Sequence, residues 1–365
     1  MLLLYIFLLL AVFQLLIWLV LFGQFAFRQK TDLISGKPAS IIIAARNESE
    51  NLQKNLKYAL EQDHPEFEVI VVDDCSWDNT EEILKDFARQ YHHLKIVKVE
   101  ETDKFFGGKK FAVTMGVKAA KNDLIVLTDA DCRAASDKWL GRMCGSFGNN
   151  KDIVLGYGAY KKEKGLINAL VRFDTFLIAL LYYSMAILIK PYMGVGRNLA
   201  WKKDLFMRNK GFATHNHMSS GDDDLFINEV GKKHNTAICD HPEAHTISTL
   251  PSGFAAWLKQ KSRHLTTWSH YRFQDKMILG FINLTTYLFI LFFVILLIMH
   301  TGIYLILIIF ACRFLVQLFV FYKAMKKFNC SDLILAGFAL EIIMLLLYPL
   351  FIISSTISGR RKWMK

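Results

Sequence analysis

The chain contains 365 residues, of which 53% are hydrophobic, and it carries a formal net charge of +11. It is too apolar for an ordinary soluble domain and too polar for a protein built wholly of membrane-spanning helices. The positive charge suits a protein that lies against anionic lipid and handles phosphate-bearing substrates, although basic membrane flanks alone would also account for it.

The first 27 residues predict a membrane anchor. Nearly every residue from Met1 to Gln24 is apolar, and about 20 apolar residues span the hydrocarbon core of a bilayer. The segment lacks the basic start and the small-residue cleavage site that mark a removable signal peptide. We therefore expect residues 1–27 to form an N-terminal transmembrane anchor that the protein retains.

Residues 28–275 have a mixed composition and predict one globular α/β domain. Short apolar runs predict four strands, at residues 40–44, 69–72, 94–99 and 124–128. Segments of helical character separate these runs, at residues 50–60, 80–91 and 109–120. Strands that alternate with helices in this way form a parallel sheet with helices on both faces.

Later in the domain, residues 176–189 form a mostly apolar stretch that is too short to cross a bilayer comfortably. We expect a buried or interfacial helix there that seats the domain on the membrane and ends before Pro191. After the domain, long apolar runs return at residues 278–299, 303–322 and 333–357. Residues 276–365 therefore predict a C-terminal transmembrane region of two to three spans with a basic tail.

Basic residues predict the orientation of these spans. They follow the first and the third predicted span, at Arg28, Lys30, Lys37, Lys323, Lys326 and Lys327. By the positive-inside rule, the globular domain faces the cytoplasm from a multi-pass protein of the cell (inner) membrane. Three C-terminal crossings would put the basic tail outside. Either the run that contains Pro349 does not cross fully, which we favour, or the tail departs from the rule.

Polar clusters follow three of the predicted strands, at the edge where parallel α/β sheets bind ligands. Residues 46–48 follow the first strand, Asp73 and Asp74 the second, and Asp129 and Asp131 the fourth. The last pair is typical of an oxygen site for a divalent cation that holds phosphate. Acidic residues after strands also cap helices, but three clusters at one edge favour a binding site. The sequence has neither a glycine-rich dinucleotide loop after the first strand nor a Walker-type loop.

The motifs follow one another as residues 43–48 (IAARNE), 71–76 (VVDDCS), 108–112 (GKKFA) and 129–131 (DAD). They continue with residues 194–200 (GVGRNLA), 221–225 (GDDDL) and 260–264 (QKSRH). This order resembles the inverting family 2 glycosyltransferases, the group of the cellulose, hyaluronan and poly-N-acetylglucosamine synthases and ceramide glucosyltransferase. The resemblance implies a Rossmann-like GT-A domain between N- and C-terminal transmembrane helices.

The resemblance implies a nucleotide-sugar donor, and Asp73 and Asp74 would contact its base. Asp129 and Asp131 would hold a Mg or Mn ion, which neutralises the charge that grows on the departing nucleoside diphosphate. The other donor-binding residues that it implies are Arg46, Glu48, Lys109, Asp129, Gln260 and Arg263.

The acidic triplet 222–224 would supply the base that takes the proton of the acceptor hydroxyl. Two alignments compete. Counting back from Leu225 selects Asp222, which we favour narrowly, and counting forward from Gly221 selects Asp223. The triplet would also attract the positive end of the helix that follows it, so at least one of its carboxylates is expected to cap that helix.

The resemblance places Asn198 and His264 on the acceptor side. Gln260 and Arg263 share one face of a helix, where Arg263 can bind phosphate in a bidentate manner. His264 occupies the position of a family tryptophan that offers a flat face to a sugar ring. The smaller imidazole argues against processive synthesis of a long chain more than against transfer itself, and Trp257 or Trp268 could take its place.

The sequence therefore predicts a membrane-anchored, inverting, metal-dependent glycosyltransferase. It would move a sugar from a nucleotide-linked donor, UDP-linked by preference, to a lipid or lipid-linked acceptor at the cytoplasmic membrane face. A processive polysaccharide synthase with a glycan acceptor is the alternative within the enzyme class. A non-catalytic membrane scaffold of the same fold is the alternative outside it. We expect no nucleic-acid partner.

Overall fold

The structure is a computed structural model that describes residues 1–30, 32–100, 108–148, 150–216, 218 and 220–362, with side chains to residue 356. The helices are α1 Leu2–Leu16, α2 Gly23–Ala26, α3 Ser49–Leu60, α4 Thr80–Gln90, α5 Lys109–Ala119, α6 Trp139–Gly145, α7 Leu166–Leu188, α8 Lys203–Arg208, α9 Asp224–Val230, α10 Gly253–Leu265, α11 Phe273–Ile298, α12 Ile303–Lys327 and α13 Gly337–Lys362, and a π-helical segment, Ile17–Phe22, joins α1 to α2. The strands are β1 Ala39–Ala45, β2 Phe67–Asp74, β3 Leu94–Val99, β4 Leu124–Asp129, β5 Cys132–Ala134, β6 Ile153–Leu155, β7 Gly158–Tyr160, β8 Leu199–Lys202, β9 Thr236–Ile238 and β10 Thr246–Ser248.

A seven-stranded sheet forms the centre of the globular part, in the order β3-β2-β1-β4-β8-β6-β9. The four predicted strands are confirmed, and they are parallel to one another. The sheet as a whole is mixed, because β8 runs antiparallel to β4 and β6. Strands β6, β8 and β9 have only three or four residues each, which is too short for their alternation to be recognised in the sequence.

Side chains of the central strands alternate between two hydrophobic layers, as the pleat requires. Ile41 and Ile43 pack with α3 and α6 on one face. Ile42 faces α5 and α7 on the other. Helix α5 lies close to β1 because Gly116 has no side chain: a Cβ there would stand 2.6 Å from a methyl carbon of Ile42. The start of α5 is thereby fixed beside the ends of the strands.

The strand register brings the predicted acidic residues to one edge. Ala45 of β1 lies opposite Asp73 of β2, and Ala44 lies opposite Asp129 of β4. Next to this edge, a second sheet has the order β5-β10-β7. It aligns Cys132, Ser248 and Tyr160 in one row, which forms one wall of the site.

Within the described residues, five helices are long and apolar enough to cross a membrane by length and composition: Leu2–Ala26, Leu166–Leu188, Phe273–Ile298, Ile303–Lys327 and Gly337–Thr356. The stretch predicted at residues 176–189 is longer than expected, because the helix begins at Leu166. Arg172 and Asp174 interrupt the apolar pattern of the sequence, yet the side chains of both are buried inside the protein. Most of the apolar part of this helix, 72%, is buried inside the protein. The predicted buried position is therefore confirmed, and the predicted length is wrong.

We favoured a run that does not cross fully around Pro349, but α13 continues through this proline and is long and apolar enough to cross. A proline inside a helix removes the hydrogen bond to the carbonyl four residues earlier, here that of Leu345. The Tyr287 hydroxyl of α11 donates to this carbonyl at 2.8 Å. A neighbouring helix thus replaces the missing bond. The side chains of the predicted basic tail lie outside the described residues.

The apolar helices share a buried polar cluster. Arg313 of α12 donates to Gln317 and, at 3.2 Å, to Gln14 of α1. Gln317 donates to Glu341 of α13 at 2.6 Å, and Gln14 donates to Thr285 of α11 at 3.2 Å. Polar groups in an apolar setting need such partners, so the cluster joins four helices into one bundle.

Candidate functional site

Lys109, the first residue of α5, joins two carboxylates that are far apart in the sequence. Its ammonium nitrogen lies 2.6 Å from Asp129 Oδ1 and 3.2 Å from Asp222 Oδ2. These three residues, with Asp131 and Asp223, are called the charged cluster below. Burial by itself would lower the pKa of Lys109, but the charges of Asp129 and Asp222 raise it well above its ordinary value. The lysine is therefore firmly cationic.

Two glycines allow the backbone to form this cluster. Gly108 precedes α5 with a φ of +81°, a conformation that L side chains rarely adopt. Gly196 donates its N–H to Asp223 Oδ2 at 2.7 Å. A Cβ at Gly196 would lie 3.3 Å from both Asp223 Oδ2 and the Lys109 ammonium nitrogen. The loop 194–198 thus approaches the cluster closely, and a side chain at position 196 would require Asp223 or Lys109 to shift.

Asp129 and Asp131 have the chemistry of a divalent cation site. Asp129, Asp131 and Cys132 can each place one ligand atom within 4.8 Å of the others. Burial raises the pKa of Asp131, and the charge of Asp129 raises it further. A bound cation would offset both effects. The Cys132 thiol donates to Asp131 Oδ1 at 3.2 Å, and burial raises its pKa well above its ordinary value. The two carboxylates offer the oxygen ligands that a hard cation such as Mg or Mn prefers, whereas a protonated thiol is not a ligand for such an ion.

The three carboxylates of the acidic triplet have different surroundings. Burial acts to raise the pKa of Asp222, but the ammonium of Lys109 outweighs it and the pKa is lowered. Burial and the charges of Asp222 and Asp224 raise the pKa of Asp223 to about 7. Asp223 also caps α9, since its Oδ1 accepts the Asp224 N–H at 2.8 Å. Asp224 is buried and accepts hydrogen bonds from the hydroxyls of Thr267 and Tyr271.

The predicted base-binding residues lie at the end of β2. Asp73 and Asp74 are both buried, and Asp73 Oδ1 accepts the Ser76 N–H at 3.2 Å. Arg46 lies 5.8 Å from the ring centre of Trp77, an exposed aromatic residue that sequence reasoning missed. This end of the site thus offers a cation and an indole at the surface and carboxylates below it.

Glu48 lies between this end and the charged cluster. Its carboxylate accepts a hydrogen bond from Asn51 at 2.6 Å. Burial raises the pKa of Glu48, and the nearby charges of Asp131 and Asp129 add to the rise. The structure therefore brings Glu48 close to Asp129 and Asp131.

Asn198 does not reach the surface of the site. Its side chain is fully buried, where it donates to the carbonyls of Tyr157 and Ala244 and accepts from the Trp139 indole at 3.0 Å. In this position Asn198 shapes the loop from behind, because a side chain with all its polar groups engaged inside the protein has none left for an acceptor.

Arg197 and Tyr160 are site residues that the sequence motifs did not identify. The Arg197 guanidinium stacks on the Tyr160 ring at 4.3 Å and donates to Ser248 Oγ at 3.2 Å. Its charge partly offsets the rise in the pKa of Asp131. Gln260 of α10 bonds the Tyr160 hydroxyl at 3.1 Å. The position of Arg197 next to Gly194 and Gly196 was the signal in the sequence that could have identified it as a site residue. Its partner Tyr160 could not be found in this way, because it lies on β7, far from Arg197 in the sequence.

Helix α10 carries Gln260, Arg263 and His264, of which the last two are exposed. Although His264 is exposed, the protein atoms around its ring desolvate it and lower its pKa, and the charges of Lys261 and Arg263 lower it further. The imidazole is therefore neutral at pH 7. Trp257 is buried against Phe351, so it does not take the place of the family tryptophan, and Trp268 is exposed.

Residues 40–203 match the family model described as glycosyl transferase family 2. The chain is 30% identical over 191 residues to glycosyltransferase AglE of Haloferax volcanii, covering 50% of this chain and 58% of AglE. It is 38% identical over 92 residues to a poly-beta-1,6-N-acetyl-D-glucosamine synthase of Staphylococcus epidermidis, covering 25% of this chain and 21% of that protein. It is 31% identical over 138 residues to a beta-monoglucosyldiacylglycerol synthase of Nostoc, covering 37% and 28%. The chain thus spans less than two thirds of each relative.

The fold resembles that of the mannosyltransferase PcManGT from Pyrobaculum calidifontis, solved in complex with GDP-Man and Mn²⁺. The TM-score is 0.54 at 16% sequence identity, and the match covers 90% of this chain and 97% of PcManGT. At this identity the likeness concerns the fold alone. It confirms the predicted Rossmann-like GT-A architecture with apolar helices at both termini.

Proposed function

We propose that this chain, whose residues 40–203 are a family 2 glycosyl transferase domain, is a membrane-anchored enzyme that transfers a sugar from a nucleotide-sugar donor to a lipid or lipid-linked acceptor. The observation that carries the proposal is the charged cluster. Residues of three separate motifs meet there through one ammonium group, at 2.6 and 3.2 Å. A scaffold has no need to hold partly buried carboxylates and a lysine together.

The donor end of the site would bind a nucleoside diphosphate, UDP by preference. Asp129 and Asp131 would hold Mg or Mn, which neutralises the charge that develops on the departing diphosphate. Lys109 and Arg263 would contribute further positive charge to the phosphates. Asp73 and Asp74 would lie towards the base, with Arg46 at the surface. The Mn²⁺ and GDP-Man bound to PcManGT support a donor of this class.

The base would be Asp222, with Asp223 as the second candidate. Asp222 keeps its negative charge because Lys109 lowers its pKa. When Asp222 accepts the proton of the acceptor hydroxyl, the oxygen can attack the anomeric carbon from the face opposite the departing diphosphate. Such a displacement inverts the configuration at that carbon.

The contacts of α10 support a lipid acceptor. Lys261 pairs with Asp174 of α7 at 2.7 Å, and Ser262 bonds Ser354 of α13 at 2.8 Å. Both partner helices are candidate membrane spans. Gln260 and His264 would therefore meet an acceptor that approaches from the lipid side. The Nostoc relative, named a beta-monoglucosyldiacylglycerol synthase, supports this class, and the poly-N-acetylglucosamine synthase relative supports a glycan acceptor as the alternative. We place the site at the cytoplasmic face, from the basic flanks of the spans.

The test uses the full chain in detergent with labelled UDP-glucose, UDP-N-acetylglucosamine or GDP-mannose, a lipid extract, and Mg or Mn. We expect a labelled lipid product with one donor. We expect Asp131→Asn and Asp222→Asn each to lower the rate at least about 100-fold, and chelation to abolish it.

The matched control is Asp204→Asn, which changes an exposed carboxylate of α8 and should leave the rate unchanged. A labelled polymer in place of a glycolipid would favour the polysaccharide synthase. If no donor is hydrolysed or transferred, and Asp131→Asn alters no cellular glycolipid, the enzyme proposal is wrong and the scaffold remains.

A further inference from the structure

A basic cavity lies outside the charged cluster, where the segment after α2 meets the end of α12. Its volume is about 510 Å³. Five of its seven lining residues are cationic: Arg28, Lys30, Lys323, Lys326 and Lys327. Ala26 and Phe27 complete the lining. Among the residues that the structure describes, no carboxylate lines this cavity.

The cations differ in what they contact. Lys327 is buried and holds the walls together, since it bonds the carbonyls of Phe25 and Arg28 and pairs with Asp240 at 3.1 Å. Lys323 and Lys326 are exposed, and each lies over an aromatic ring of its own helix. Arg28 and Lys30 are exposed on the facing segment. Cations near the C-terminal end of α12 interact favourably with the helix dipole. This effect does not explain why the segment after α2 brings Arg28 and Lys30 to the same cavity.

A groove with both apolar and polar lining lies beside the basic cavity. Its volume is about 360 Å³, and it is lined by Leu19, Gly23, Gln24, Phe27, Arg28 and Ile187. Phe27 and Arg28 line both spaces, so the two are neighbours. The groove runs along the N-terminal candidate span towards α7. The groove thus presents the large apolar side chains of Leu19, Phe27 and Ile187 beside a strongly basic cavity.

We propose that this space binds one anionic phospholipid, with an acyl chain in the groove and the phosphate among the cations. Charge complementarity selects the headgroup, because the lining provides positive charge and no carboxylate. The groove selects a lipid over free phosphate, because burial of an acyl chain adds favourable free energy with each methylene. The site is independent of the transfer reaction, so it can fail while the proposed function holds.

The test is native mass spectrometry of the full chain in detergent, mixed with equal amounts of phosphatidylglycerol and phosphatidylcholine of the same chains. We expect the protein to retain phosphatidylglycerol with at least about tenfold preference. The triple variant Arg28→Gln/Lys323→Gln/Lys326→Gln, which spares the buried Lys327, should reduce the preference to about one. Excess inorganic phosphate should not displace the lipid.

The matched control removes three cations elsewhere, with Lys57→Gln/Lys118→Gln/Lys121→Gln, and should keep the preference. A second variant tests the groove: Gly23→Leu should reduce retention of both lipids, because a Cβ there fits at 3.5 Å from Phe27 and the longer chain fills the groove. Gly280→Leu, where a Cβ meets nothing within 4 Å, is its control. Equal retention of both lipids by the unmodified chain, or displacement by inorganic phosphate, would overturn the proposal.

Discussion

Lys109 shows how one residue can organise a site. Asp129 and Asp222 would repel each other in a partly buried setting, and the ammonium group between them removes that cost. The same contact separates the two candidate bases. Asp222 touches the lysine and has a lowered pKa, whereas Asp223 has a pKa raised to about 7. The difference can be measured.

The pH dependence of transfer identifies the base, because a base must be deprotonated to act. If Asp222 is the base, kcat/KM should stay level as the pH falls from 8 to about 5, since a lowered pKa keeps its carboxylate ionised. If Asp223 is the base, kcat/KM should fall about tenfold per unit below its pKa of about 7. We expect the level profile.

The variants provide the control for this profile. Asp222→Asn should lower kcat at least about 100-fold at every pH. Asp223→Asn should lower kcat by less and leave the shape of the pH profile unchanged. The substitution removes only the carboxylate that caps α9 and accepts the Gly196 N–H. A decline below pH 7 that disappears in Asp223→Asn would assign the base to Asp223 instead.

At the scale of elements, Asp78 ties together the first turns of two helices. Its Oδ2 accepts the Ser49 N–H of α3 at 3.2 Å, and its Oδ1 accepts the Thr80 N–H of α4 at 3.1 Å. Burial acts to raise the pKa of Asp78, but hydrogen bonds from Thr80 and Ser49 lower it to about 2. The loops that carry Arg46 and Asp73 are thereby fixed to each other.

We expect Asp78→Ala to lower the free energy of unfolding by about 2 kcal/mol, since each lost cap costs about 1 kcal/mol. Because the folded pKa is depressed, this stabilisation is fully present above about pH 4 and is lost as the pH falls towards 2. Denaturant unfolding in detergent at pH 7 measures the effect. Asp86→Ala, which removes an exposed carboxylate of α4, should change stability little. An equal loss in both variants would contradict the capping role.

The pair Lys261 and Asp174 fixes α10 against the bundle. Both side chains are buried, and the Tyr348 hydroxyl of α13 also donates to Asp174 at 2.8 Å. We expect Lys261→Met to cost about 3 to 5 kcal/mol, because it leaves a buried carboxylate without its cation. The double variant Lys261→Met/Asp174→Leu should recover most of that loss.

Unfolding of the two variants in the same detergent provides the comparison. Lys259→Met, which changes an exposed lysine of the same helix, is the matched control. A double variant less stable than Lys261→Met would show that the ion pair itself stabilises α10, and would contradict the expectation.

At the scale of the whole molecule, the terminal helices complete the hydrophobic core. Phe25 lies 5.2 Å from Tyr183 of α7 and 4.8 Å from Phe328, ring centre to ring centre. Trp257 lies 5.1 Å from Phe351 of α13. All five of these side chains are buried. The pairs Phe25–Tyr183 and Trp257–Phe351 each join the predicted globular domain to a predicted terminal region.

We therefore expect residues 28–275, produced alone, not to form a stable soluble domain. Removing residues 1–27 and 276–365 would expose Tyr183 and Trp257 to water, at a cost of about 1.5 to 3 kcal/mol for each large side chain. Size-exclusion chromatography and thermal unfolding of the fragment, beside the full chain in detergent, provide the measurement. A monodisperse fragment that unfolds cooperatively would show that the predicted boundaries also separate folding units.

The sequence by itself determined the local pattern of this protein. Apolar runs identified four strands of the sheet, and acidic residues at their ends identified one edge, because periodicity and strand ends are properties of neighbouring residues. The order of motifs along residues 43–264 carries the resemblance to the family, and it predicted Lys109, Asp129 and Asp222 as site residues. Each single motif needed only residues close together along the chain.

Only the tertiary structure decided how distant segments meet. It buried Asn198, paired Arg197 with Tyr160, and kept α13 continuous because Tyr287 of another helix bonds the carbonyl of Leu345. Helix α7 is also longer than predicted. Its Arg172 pairs with Asp332, which precedes α13, and its Asp174 pairs with Lys261 of α10. These outcomes depend on contacts between residues far apart in sequence, and such contacts form only when the whole core packs.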